Sequence, residues 1–349
     1  MDFDPLQPSS SSSSSNGIPN YFDPSSLFSA ERLIAVITGG GTGIGLIMAT
    51  ALEHNGATVY IIGRRLDVLE RAAQEKSRFN KIIPLQGDVT NRESLLQIVD
   101  TIKDRHGYID LLVNNAGVAR NLYPHPLPTP SQESTSSESI PSPPPSPSSS
   151  RKAPSIRSFQ AALWDSGSPE DFADTFATNV TAVYYTTVAF LDLLHQGNLR
   201  KQPADYNPLV GIPPLPTHTS QVLSISSSGS FRVDPKILSM SYTLSKNACT
   251  HLGKCMANLL APWGIRSNVL APGVWPSEMT SSQMRNVKLD PATLATTVPL
   301  QRTVNVVTTQ EMAGTILFLA SRAGAYVNGA VWLVDGGRVG TVASSYSVP

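Results

Sequence analysis

The chain has 349 residues with 26 basic and 26 acidic side chains, a formal net charge of zero. That balance argues against a nucleic-acid partner, which wants a basic excess. Hydrophobic residues make up 40%, enough for a sizeable core, and the length alone allows one or two domains. Only two cysteines occur, Cys249 and Cys255, which gives neither a disulfide framework nor a zinc site; both read as small buried apolar side chains, and a reducing, cytoplasmic compartment is the expectation.

From the N-terminus, "MDFDPLQPSSSSSSSNGIPN" is rich in Ser and Pro and cannot bury enough apolar surface to offset its ordering entropy. Residues 1–25 are therefore expected to be a disordered arm, and residues 26–349 the folded domain. The start has neither the basic end nor the apolar stretch of a signal peptide. No apolar run approaches the ~18 residues of a membrane span, so no membrane partner is expected. A strand is expected in "RLIAVITGG", then a helix over about Thr42–His54; a strand in "ATVYIIGR", then a helix over about Leu66–Phe79. "KIIPLQGDV" reads as a strand before a helix over about Arg92–His106, and "IDLLVNNAG" as the fourth strand.

A Ser/Pro-rich excursion follows at about 124–155, including "PSPPPSPSSS". The next helix is signalled by Ser168 as N-cap, Pro169 in the first turn and Asp171 at the capping-box position. A milder excursion spans about 195–219. Then come "QVLSIS", a helix holding "SYTLSKNA", "IRSNVLAPG", a helix over about Gln310–Ser321, and "AVWLVDGG". Apolar strands alternating with helices predict an α/β fold: one doubly wound parallel sheet of the Rossmann type, carrying two insertions.

"VITGGGTGIG" joins the first strand to the first helix. Gly39, Gly43 and Gly45 permit a tight turn, close approach of backbone to phosphate, and close helix–strand packing. With Thr42 and Ile44 they form the candidate phosphate-binding turn, where a helix N-terminus offers N–H groups to a pyrophosphate. After the second strand, "YIIGRRLD" has Gly63 followed by Arg64 and Arg65. Acid at this place binds the ribose hydroxyl of NAD, whereas a guanidinium suits the 2′-phosphate of NADP, so NADP(H) is expected. Tyr242 and Lys246 lie one helical turn apart. A free phenol titrates at about pH 10 and is a poor base at neutral pH, but a neighbouring cation stabilises phenolate.

The spacing Gly39-x-x-x-Gly43-x-Gly45, "NNAG" at Asn114–Gly117, Tyr242-x-x-x-Lys246, "PG" at Pro272 and Gly273 and "VDGG" at Val334–Gly337 together resemble the short-chain dehydrogenase/reductase family. The likeness covers about residues 31–340 apart from the excursions. "APGVWPSEMT" and "SYTLSKNA" look most similar to its filamentous-fungal, 3-oxoacyl-carrier-protein-reductase-like branch.

The resemblance implies that Tyr242 is the acid/base and Lys246 its partner on the nicotinamide ribose. It implies a serine after the fifth strand on the reacting oxygen: Ser227 by strand-end alignment, with Ser228 open because the 15-residue gap from Ser227 to Tyr242 exceeds the usual one. Asn179 matches the residue that holds a water behind the lysine. Asp88 matches a residue near the adenine, a turn-forming role being equally open, and Asn115 and Gly117 match backbone beside the cofactor. Ser277 falls where relatives place a threonine on the nicotinamide amide.

Trp275, Met279 and Met284 are candidate apolar contacts for a substrate, packing of that loop onto the body being the other reading. The segment has no cluster of Arg or Lys, so a neutral, partly apolar ketone or alcohol is expected as the small-molecule partner. The resemblance also implies a homo-oligomer paired through the helices of Asn179 and Tyr242. Two other readings remain: a catalytically silent NADP-sensing regulator on the same fold, or an interaction protein using the Ser/Pro-rich excursions.

Overall fold

A computed structural model describes residues 22–130, 155–201, 218–275, 277 and 309–346. Residues 1–21 of the expected arm, 131–154 and 202–217 of the two insertions, and Met279 and Met284 lie outside the described residues. The elements begin with a short helix α1 (Pro24–Leu27), then β1 (Ile34–Thr38), α2 (Gly43–His54), β2 (Thr58–Gly63) and α3 (Leu66–Lys76). They continue with β3 (Ile82–Gln86), α4 (Arg92–His106), β4 (Leu111–Asn114), α5 (Ile156–Trp164) and α6 (Pro169–Phe176). After a π-helical turn (Ala177–Thr181) come α7 (Ala182–Ala189), α8 (Leu191–Leu199), β5 (Gln221–Ile225), α9 (Met240–Leu260), β6 (Arg266–Pro272), α10 (Thr309–Ala320) and β7 (Val331–Val334).

The seven strands form one parallel sheet in the order β3-β2-β1-β4-β5-β6-β7. β1, β4, β5 and β6 are buried along their whole length, as an all-parallel sheet covered on both faces requires. Side chains alternate between the covers. Ala35, Ile37, Val59 and Ile61 pack towards Met48 and Leu52 of α2 and Met312 and Ile316 of α10. Ile34, Val36, Tyr60 and Ile62 pack towards Ile98 and Ile102 of α4, Leu193 of α8 and Met256 of α9. Pro84 is tolerated inside β3 because β3 is an edge strand and has one partner. The strand order turns back between β1 and β4, and the crevice above their carboxyl ends is where such sheets bind ligands.

Four local readings differ from the sequence expectation. Helix α3 ends at Lys76 and not near Phe79, since Ser77 is extended and the amides of Arg78 and Phe79 go to the Glu53 carboxylate. Residues 23–25 are not arm: the Asp23 side chain accepts the Ser25 amide and caps α1. The excursion at about 124–155 does not begin loose: Tyr123 N donates to Leu238 O at 3.1 Å and His125 Nε2 to Ile237 O at 2.8 Å, and the excursion is followed by the unanticipated helix α5. The excursion expected at about 195–219 starts later than residue 195, since α8 runs to Leu199 and is tied down by Arg200 and Lys201 on buried Asp110.

Candidate active site

The crevice at the β1/β4 switch is a cleft of about 660 Å³. Its floor is set by the end of β1. Thr38 Oγ1 accepts the amides of Asn115 and Ala116 at 3.0 and 3.1 Å, and Asn115 Nδ2 donates to the carbonyls of Thr38 and Gly39 at 2.9 and 3.0 Å. This lattice locks the glycine turn against β4. Gly39 has φ of +64°, and a Cβ there would lie 2.9 Å from Ala116 Cα, so both backbone and space demand glycine. At Gly45 a Cβ would collide with the Gly39 carbonyl oxygen, which is why α2 can sit so close to the turn.

Twelve expected residues line this cleft together: Gly39, Thr42, Gly43, Ile44, Arg64, Arg65, Asp88, Asn115, Gly117, Tyr242, Lys246 and Ser277. The α2 N-terminus enters it with Thr42 as an extended N-cap that makes no side-chain capping bond, which suits the first turn of the helix to an anion in the cleft. Arg64 and Arg65 are exposed beside Gly63 at the opposite end. Burial raises the Asp88 carboxyl, but hydrogen bonds from Thr90 N and Oγ1 at 2.9 and 2.7 Å, with the Arg64 charge, outweigh it and hold the group below the usual carboxylate range. Asp88 thus has a turn-forming job and still faces the cleft.

The expected pair Tyr242 and Lys246 comes from α9. Ser239 caps this helix by accepting the Tyr242 amide at 3.1 Å, which fixes the first turn, and Lys246 follows one turn later. Lys246 is buried, its Nζ donating to Ile225 O at 2.8 Å and standing 6.0 Å from the centre of the Tyr242 ring. Asn179 lies behind the cleft wall in the π-helical turn, a local widening that recurs at functional sites. Its Oδ1 accepts Val118 N, and its Nδ2 donates to Val118 O and Ser245 Oγ, each at 2.9 Å. Asn179 Oδ1 and Lys246 Nζ both face Gly117, at 3.1 and 3.2 Å from where a Cβ on that glycine would sit.

Ser227 flanks the cleft beyond its lining: a Cβ on Gly229 would be 3.2 Å from Ser227 Oγ and 3.8 Å from Tyr242 Cε1. Ser228 is buried and opens a short 3-10 turn. Pro272 and Gly273 end β6, where Gly273 N donates to Val334 O at 2.9 Å, and they do not line the cleft.

Trp275 is 4% exposed and packs with Met312 and Ile316, so it belongs to the core and not to a substrate surface. Cys249 is buried as expected, but Cys255 is exposed. The sequence reading missed Thr38, Thr178 and Ser226. Thr38 had a legible signal, a threonine ending an apolar strand; Thr178, in the π-helical turn, and Ser226, just after β5, line the cleft. The described residues contain no cluster that could hold a metal ion, and no described helix is long and apolar enough to cross a membrane.

Residues 33–136 match the family model described as short chain dehydrogenase, and residues 211–338 the one described as enoyl-(acyl carrier protein) reductase. The chain is 41% identical over 324 residues to the short-chain dehydrogenase/reductase PhomF' of Diaporthe leptostromiformis, covering 92% of this chain and 96% of that protein. It is 42% identical over 334 residues to the short-chain dehydrogenase/reductase VdtF of Byssochlamys spectabilis, covering 92% and 97%. Among solved structures, the Pseudomonas aeruginosa RhlG/NADP active-site complex shares the fold, with a TM-score of 0.65 at 24% identity over 91% of this chain and 99% of that chain.

Proposed function

The chain belongs to the short-chain dehydrogenase/reductase family, and from that premise we propose that it is an NADP(H)-dependent oxidoreductase interconverting a carbonyl and a secondary alcohol on a neutral, partly apolar substrate. The observation that carries this reading is the meeting of Tyr242 and buried Lys246 with the glycine turn and Arg64 in one cleft. The cleft suits a dinucleotide: it has a glycine turn that side chains would fill, an uncapped helix N-terminus for the pyrophosphate, and two arginines where a ribose phosphate would lie.

A nicotinamide dinucleotide held by the glycine turn, Arg64 and Arg65 would supply or accept the hydride. In the reducing direction Tyr242 gives its phenolic proton to the carbonyl oxygen, and in oxidation it takes the proton back. Lys246 places a positive charge one turn away, which stabilises the phenolate. Ser227 donates a hydrogen bond to the reacting oxygen; its hydroxyl flanks the same glycine as the Tyr242 ring, which favours it over buried Ser228. Asn179 holds a water that links the lysine to solvent, consistent with its carbonyl oxygen facing Gly117 beside the ammonium. Gln86 Nε2 fixes the Arg64 carbonyl at 3.0 Å, so the Arg64 backbone is set before any phosphate arrives.

The test is NADPH consumption by the purified chain against a panel of β-keto esters, aryl ketones and diketones, and NADP⁺ reduction against the matching alcohols. Turnover of at least one pair is expected. NADPH binding with no hydride transfer to any of them would replace this reading with the silent sensor.

A further inference from the structure

The turn that carries Ser227 is held from two directions. Within the turn, Gly229 N donates to Ser227 Oγ and Ser230 N to Ser227 O, both at 3.0 Å. On the α9 side, Asn247 Nδ2 donates to Ser230 O at 3.0 Å. The other end of the turn is held by chain 114 positions later: Ser345 N donates to Phe231 O at 2.8 Å. Val233 N donates to Ala343 O at 3.1 Å, and Arg232 and Ser344 form an antiparallel bridge. The Tyr346 ring meets Phe231 edge-on with centres 4.6 Å apart, an arrangement that favours aromatic pairs beyond the area they bury. Phe231 itself is buried against Ala271 and Val339.

We propose that the segment Ala343–Tyr346 is a positioning strap: it pairs with Phe231–Val233 as a short antiparallel ribbon and thereby fixes Ser227 relative to Tyr242. Ser227 and Phe231 are the two ends of one helical turn, so a shift at Phe231 passes through Gly229, whose position is bounded by Ser227 Oγ on one side and the Tyr242 ring on the other. An error of about 1 Å in placing a reacting group costs on the order of 10²-fold in rate, so a turn held at both ends matters to the chemistry as well as to the fold. The strap contacts described above all fall on Phe231–Val233, so cofactor affinity should be indifferent to it. The proposal rests on the role assigned above to Ser227.

The test compares the full chain with a version ending at Val342, with Tyr346→Ala and with Tyr346→Phe, by hydrogen–deuterium exchange, NADPH titration and steady-state kinetics on a carbonyl that the wild type accepts. The shortened chain and Tyr346→Ala should exchange the amides of Gly229, Ser230 and Arg232 at least about 10-fold faster, with residues 39–45 unchanged. Their kcat should fall about 10-fold or more while NADPH affinity stays within about twofold, and Tyr346→Phe should behave as wild type.

Unchanged exchange at Gly229 and Ser230 overturns the strap. So does faster exchange that extends equally to residues 39–45, which would be general loosening, or a kcat that holds within about twofold while the turn exchanges faster. If the wild type turns over no carbonyl, the oxidoreductase reading falls; the exchange result alone then upholds or overturns the mechanical tie.

Discussion

Gly63 ends β2 where an acidic side chain would meet the ribose hydroxyls of NAD, and Arg64 and Arg65 come next, exposed at the mouth of the cleft. A guanidinium there gains a charge-assisted contact from a 2′-phosphate and nothing comparable from a hydroxyl. Loss of such a contact costs ~1.5–3 kcal/mol, so Arg64→Ala should weaken NADPH about 10- to 100-fold and leave NADH nearly unchanged. Fluorescence titration of both cofactors checks this, and equal affinity of the wild type for the two would contradict the assignment. That Arg64 and Arg65 line the cleft was legible because they directly follow a strand that ends at the sheet's ligand-binding edge. Trp275 was not: an aromatic side chain in a loop reads the same whether it faces a substrate or, as here, the helix bearing Met312 and Ile316.

Between elements, Glu53 near the end of α2 does work that its sequence context hides. Its carboxylate is fully buried; Oε1 accepts Ser77 Oγ and the amides of Phe79 and Lys81 at 2.7, 2.6 and 3.2 Å, and Oε2 accepts Arg78 N at 3.0 Å. It thereby pins the α3–β3 connection to α2. Burial alone raises this group, but the four hydrogen bonds outweigh it and its pKa lies below the ordinary 4.5. The sign follows: the folded state holds the proton more weakly than the unfolded chain, so the stabilisation is full above 4.5 and drains away as pH falls through the depressed value. Glu53→Gln should lower stability at neutral pH by ~1.5–3 kcal/mol, and the gap to wild type should narrow towards about pH 3. Urea unfolding of both chains across that range measures it; a gap independent of pH would contradict the account.

Element boundaries were legible wherever a cap marks them. Ser168 and Asp171 form the reciprocal capping box, and α4 spans Arg92–His106 as read, closed by Gly107 at φ of +74°. They were misread where glycine serves packing instead of turning. The excursion expected from about 195 gives way to α8, which runs to Leu199 through Gly197, where any Cβ would strike the Ile109 carbonyl. Helix α5 follows the Ser/Pro-rich stretch and has no buried residue, so no apolar core face announced it.

For the whole molecule, the alternation of strand and helix and the uniformly apolar strands were enough to specify the parallel sheet, and the sheet order then placed the cleft. What the pattern could not supply is how the surface is used. We propose a homo-oligomer: α7 buries Ala182, Val183, Thr186 and Thr187 but leaves Tyr184, Tyr185 and Val188 at 42, 39 and 42% exposure, and α9 leaves Leu244 and Leu259 at 45 and 64%. An apolar helix face of this kind marks an interaction surface. Light scattering at micromolar concentration should report a dimer or larger, and Tyr184→Glu with Val188→Glu should shift the mass downward. A monomer at every concentration in the wild type would contradict this.

We propose that Tyr242 moves the proton in a hydride transfer carried out in this cleft. Phenylalanine keeps the ring and its packing and removes only the hydroxyl, so Tyr242→Phe separates chemistry from folding. Single-turnover transfer from NADPH to an accepted carbonyl measures it, with NADPH affinity taken in parallel. General acid catalysis is worth ~10²–10⁴-fold, so the variant's rate should fall at least about 10²-fold while its NADPH affinity stays within about twofold. A variant that keeps more than about a tenth of the wild-type rate would show that Tyr242 is not the acid.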